Sequence, residues 1–134
     1  QLREPFADRC FALLDEYALE LMAIDSWKKD PQAAREAQLR EWIGAFGNDK
    51  GKITLYAPVG CDVCSGTGYR GRVGLHELLV GTDAIKKGIQ EHARVAAMFA
   101  TALAEGMRTL KQDGIEKVLA GITDMHQVRS VCIK

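Results

Sequence analysis

Residues 53–80 read ITLYAPVGCDVCSGTGYRGRVGLHELLV, and the fold of the chain turns on this stretch. Ile53 to Ala57 is β-branched and aromatic, the composition of a short strand. Pro58 and Gly60 break it. Cys61 to Gly71 is dominated by Gly, Cys, Ser and Thr, so it is a structured turn. Val73 to Val80 returns to apolar, strand-forming residues. The two strands are expected to pair antiparallel, as a small β-hairpin that carries the cysteine turn.

Outward from this stretch the pattern is helical. On the amino-terminal side Phe6, Cys10, Leu13, Leu14, Tyr17, Leu21 and Ile24 recur at steps of three and four, one face of an amphipathic helix. Pro5 suits its first turn, and Asp25 to Asp30 reads as a polar connection. Asp30 then offers a cap with Pro31 at the first helical position. Leu39, Trp42, Ile43 and Phe46 give that second helix its apolar face, and Gly47 is expected to end it in a left-handed conformation.

On the carboxy-terminal side Thr82 can cap a helix through about Glu91. A third long segment runs from about Ala93 to Glu105. Ala96, Phe99, Leu103, Met107 and Leu110 form an apolar stripe, continued by Ile115, Val118 and Leu119 up to Gly121. Thr123 is expected to cap a last helix carrying Met125, Val128, Val131 and Cys132. The expected fold class is α+β, mostly α. It divides into an amino-terminal helical pair (1–52), the Cys-x-x-Cys knuckle and hairpin (53–80) and a helical lobe (81–134).

The chemistry sits in Cys61-Asp-Val-Cys64-Ser-Gly66-Thr-Gly68. Two thiolates at this spacing can both reach one zinc ion at about 2.3 Å. The glycines let the backbone fold under the metal with amide hydrogens pointing at the sulfurs. This is half of a site, because structural zinc takes four ligands. Cys10 and His76 are candidates to complete it, and their spacing singles out neither. Three readings stay open: a partner pair upstream or degenerated, a metal-free structural turn, or a redox dithiol. A redox pair would open a helix in a βαβ unit, and glycines follow here instead.

Composition excludes several classes. Eighteen basic residues balance eighteen acidic ones, so nothing points to nucleic acid or an anionic membrane surface. No apolar run approaches the roughly 20 residues of a membrane span. Four cysteines in this arrangement are not a secreted disulfide framework. The start, Gln-Leu-Arg-Glu-Pro, is neither a signal peptide nor led by Met, and a piece cut from a longer protein is expected. The nearest approach to a P-loop is Phe46-Gly-Asn-Asp-Lys-Gly51-Lys52-Ile53. It lacks the first glycine and the metal-binding hydroxyl, and it follows a helix where a P-loop follows a strand. His76 beside Glu77, and His92 and His126, read as ordinary surface or hydrogen-bonded residues rather than acid–base catalysts.

Val59 to Val80, with Gly106 to Thr123 reading GMRTLKQDGIEKVLAGIT, resembles the carboxy-terminal part of the type II secretion and type IV pilus assembly ATPase family. The resemblance covers Val59 to about Val131. It implies that Cys61 and Cys64 are metal ligands, half of a tetracysteine zinc element. Arg3-Glu-Pro-Phe6 looks like the string that follows the family's first cysteine pair, with Leu2 where a cysteine would stand. It further implies a non-catalytic piece of a hexameric, cytoplasmic ATPase, peripheral at the inner membrane. The parent would bind ATP and magnesium in a core upstream. This piece would pack on that core and on neighbouring subunits, and pass motion to the inner-membrane platform. Arg70 and Arg72 would contact a neighbouring subunit or the core, or simply bracket a turn. Retraction relatives lack the cysteine element, which favours the assembly and secretion branch. A free-standing zinc-knuckle interaction module is the competing reading.

Overall fold

The structure, a computed structural model, describes residues 6–132, with side chains from Cys10 onward. The helices are α1 (Phe6–Leu21), α2 (Asp25–Lys29), α3 (Pro31–Phe46), α4 (Asp83–Gln90), α5 (Val95–Ala104), α6 (Leu110–Leu119) and α7 (Met125–Val131). A single 3-10 turn, Asp62–Cys64, interrupts the long non-helical stretch between α3 and α4. The expected Arg3-Glu-Pro-Phe6 string lies largely outside the described residues.

Helix α1 forms and docks as its spacing dictates. Cys10, Leu13, Leu14, Tyr17, Ala18 and Leu21 are all buried, and α1 packs on α3 and α6. Trp42 of α3 meets Tyr17 edge-on, with ring centroids 5.1 Å apart at 83°. Ile115, Val118 and Leu119 of α6, Leu103 of α5 and Val128 of α7 close the same core. Asp30 caps α3 as expected, accepting from Ala33 N–H at 3.1 Å. Thr82 caps α4 in the same way at 3.3 Å.

Four readings need correction. The first is the fold class: among the described residues there is no strand, so the antiparallel hairpin is absent and the fold is helical. Residues 53–60 and 69–80 are not joined by any backbone hydrogen bond. The cause is that each segment finds its own helical partner. Ile53 and Leu55 turn into the helical core. Residues 73–80 instead lie along α6. There the His76 N–H donates to Asp113 Oδ2 at 2.9 Å, and Glu77 Oε2 accepts from Leu110 N–H at 2.8 Å.

The polar connection 25–30 is largely the short helix α2, which buries Trp27. Gly47 ends α3 in an extended conformation, φ −73° and ψ 156°, rather than a left-handed one. The last helix is capped by Asp124, one residue beyond Thr123, with Gln127 N–H donating to Asp124 Oδ1 at 3.0 Å.

A buried polar network braces the core. Tyr17 Oη donates to Glu116 Oε1 at 3.0 Å and accepts from Arg108 Nε at 2.9 Å. Gln112 is fully buried, donating to the Tyr17 carbonyl at 3.0 Å while accepting from Thr109 N–H at 3.0 Å. Thr109 and Gln112 thereby form a reciprocal capping box for α6.

Candidate metal knuckle

Residues 61–68 fold tightly around one sulfur. Cys64 Sγ accepts from Gly68 N–H at 3.1 Å and from Cys61 N–H at 3.2 Å. Cys61 Sγ lies 3.5 Å from it. Gly66 N–H donates to the Cys61 carbonyl at 2.9 Å, and Thr67 Oγ1 donates to the Cys64 carbonyl at 2.7 Å. Ser65, Gly66 and Gly68 all carry positive φ, which bends the chain back under the thiols. Gly68 is required twice over. Its φ is 81°, and a Cβ there would sit 2.6 Å from Pro58 Cβ.

The electrostatics favour a thiolate at Cys64. The amide hydrogen of Cys61, then that of Gly68, hold its thiol down to about 7 from the ordinary 9.0. Both thiols stand near the surface, with Cys61 exposed and Cys64 half-buried. These are the properties of a soft-metal half-site: adjacent sulfurs, one stabilised as the anion, on a backbone whose amides point at it.

The other sequence candidates lie elsewhere. Cys10 is buried in the α1 core, where burial pushes its thiol up to about 11. His76 is exposed on the α6 side, its ring against Gly74. Among the described residues no third His, Cys, Asp or Glu joins Cys61 and Cys64 in a metal-holding group. Cys132 is half-buried at the end of α7. The Glu77 carboxylate holds the first turn of α6, a structural task rather than acid–base chemistry. Arg70 and Arg72 border a cavity of about 510 Å³ shared with Tyr69, Leu75, Gln127 and Val131.

The knuckle is pinned to the α6–α7 turn at both ends. On the entering side the Tyr56 ring covers Gly121. A Cβ at that glycine would come within 2.9 Å of the ring, and its φ is 79°. On the leaving side Tyr69 Oη donates to Asp124 Oδ2, which raises the tyrosine's own proton affinity. Sequence reasoning missed both contacts. The Thr109-x-x-Gln112 capping box was also missed, although its spacing was on display.

The type II/IV secretion system protein family model matches residues 26–130. The type IV pilus assembly ATPase PilB of Pseudomonas aeruginosa is 38% identical over 105 residues, which is 78% of this chain and 18% of that protein. PilB of Thermus thermophilus is 42% identical over 106 residues, 75% of this chain and 11% of that protein. The type II secretion system protein E of Dickeya dadantii is 44% identical over 75 residues, 56% of this chain and 15% of that protein. The chain thus spans less than a fifth of the length of these relatives. With the family match running through both the knuckle and the helices that clasp it, this chain belongs to the type II/IV secretion system protein family.

Proposed function

We propose that this chain is a non-catalytic, carboxy-terminal accessory of a cytoplasmic, hexameric ATPase that drives type II secretion or type IV pilus assembly. ATP and magnesium would bind in a core carried by the rest of the polypeptide. This part would seat on that core, support the ring and pass motion to inner-membrane platform proteins. Cys61 and Cys64 would hold zinc with further ligands from outside the described residues, and the metal would serve as a structural clamp.

One observation carries the docking role. Val73, Leu78, Leu79 and Val80 are exposed by 47, 72, 49 and 61%. They lie on a segment that is neither helix nor strand, with few backbone hydrogen bonds of its own. Apolar side chains and unpartnered peptide groups on one ribbon form a surface that a partner covers. What supports a partner in the same polypeptide is that the longer relatives carry most of their length outside the matched region. No helix among the described residues is long and apolar enough to cross a membrane.

A chimera tests this reading. In the Pseudomonas pilus ATPase, this chain would replace that protein's own matching 105 residues. The chimera is expected to hydrolyse ATP. Leu78→Asp with Val80→Asp is expected to cut that rate at least ~tenfold, because charge would be forced into a covered apolar contact. The isolated variant should melt as the parent does, since both side chains are exposed. An inactive chimera, or one indifferent to the two aspartates, would overturn the docking role.

A further inference from the structure

We propose that Tyr69 and Asp124 are a latch through which the state of the knuckle reaches helix α7. The contacts form one continuous relay. Cys64 Sγ accepts from Gly68 N–H at 3.1 Å. Gly68 is followed at once by Tyr69, whose hydroxyl donates to Asp124 Oδ2. The other oxygen of that carboxylate accepts from Gln127 N–H at 3.0 Å and starts α7. One carboxylate therefore serves two masters, the knuckle and the helix cap.

Helix α7 is well placed to carry the message onward. Val128 is buried, and a Cβ on Gly114 of α6 would lie 2.6 Å from its Cγ1. Arg129 pairs with Glu16 of α1, which Lys111 of α6 also reaches at 3.1 Å. A shift at the Asp124 cap therefore presses on α6 and loosens a cross-helix ion pair. The turn that bears Asp124 cannot drift freely, because Tyr56 sits over Gly121. The knuckle enters over this turn and leaves bonded to it, so the sulfurs and the cap share one frame.

Tyr69 and Asp124 are positioning residues here, since neither touches the sulfurs. The coupling rests on hydrogen bonds within the chain. Only the metal arm of the test leans on the proposed zinc role.

The test is a double-mutant cycle read by amide hydrogen exchange at Gln127, without metal. Cys64→Ala removes the sulfur that accepts from Gly68 and is expected to speed exchange at Gln127 about fivefold. Cys64→Ser keeps a weaker acceptor and should fall between. Tyr69→Phe alone is expected to speed it by a similar factor. In the Tyr69→Phe background, Cys64→Ala should add less than about 1.5-fold, because the latch is already open. Equal factors for Cys64→Ala in both backgrounds would overturn the latch. In a second arm zinc sulfate is added. Zinc should slow Gln127 exchange in the wild-type chain. The Tyr69→Phe chain should take up as much zinc with no slowing. Zinc slowing exchange equally in both would also overturn the latch. A wild-type chain that takes up no zinc would instead defeat the metal role of the knuckle, and the metal-free cycle would still decide the coupling.

Discussion

Replacing Trp42 with alanine is expected to lower the unfolding free energy by about 3–5 kcal/mol, a large share of the ~5–15 kcal/mol that holds a domain folded. Trp42 is only 2% exposed and is the largest of the fully buried side chains. It fills the space between α1 and α3 and presents an edge to Tyr17. That tyrosine anchors the Glu116–Arg108 network, so the cavity would open beside a buried polar cluster. Trp42→Phe should behave very differently. The indole Nε1 is buried without a hydrogen-bond partner among the described residues, so phenylalanine surrenders volume but no bond. Its cost is expected to stay below about 2 kcal/mol, because removing an unpaired donor offsets part of the lost contact. Urea unfolding of the three proteins checks this. A phenylalanine variant as unstable as the alanine one would contradict the packing described for this core.

The second large effect is chemical. At pH 7 a thiol at about 7 is roughly half thiolate, whereas one at about 11 is roughly one part in ten thousand. The more basic thiolate is intrinsically the better nucleophile, and this recovers about two of those four decades. Cys64 should therefore react with iodoacetamide on the order of a hundredfold faster than Cys10, and the burial of Cys10 widens the gap. Mass spectrometry of a timed reaction gives the order directly, and Cys10 reacting first would contradict the site geometry. The same shift has a consequence for folding. The folded value of Cys64 lies below the ordinary 9.0. Its contribution to stability is therefore full above about pH 9 and is lost as pH falls through about 7.

How far the sequence could be read depended on the range of each signal. Short-range signals were legible. The Asp30–Pro31 helix start, the Thr82 cap and the buried face of α1 are set within a few residues, and all appear in the structure. The Asp124 cap was missed by one position, because Thr123 beside it is chemically as good a candidate.

The hairpin failed for a different reason. Strand-like composition says that a segment is extended; it does not say what lies beside it. Residues 53–57 and 73–80 form neither strand nor helix. The helical core takes Ile53 and Leu55, while Leu110 and Asp113 of α6 hold Glu77 and His76. The knuckle was legible because both sulfurs and both glycines fall within eight residues. Its clasp was not, since Tyr69 meets Asp124 across 55 positions and Tyr56 meets Gly121 across a similar span. Only the folded chain brings such pairs together.

Amide exchange across residues 73–80 probes the docking surface most directly, compared in the isolated chain and in the chimera with the Pseudomonas ATPase. In the free chain most of these amides have no backbone acceptor, so exchange should be nearly as fast as in an unstructured peptide. In the chimera they should be protected at least ~hundredfold, as covered backbone is. Exchange that stays equally fast in both would mean that this apolar ribbon faces water in the assembled motor, and the accessory role assigned to it would not stand.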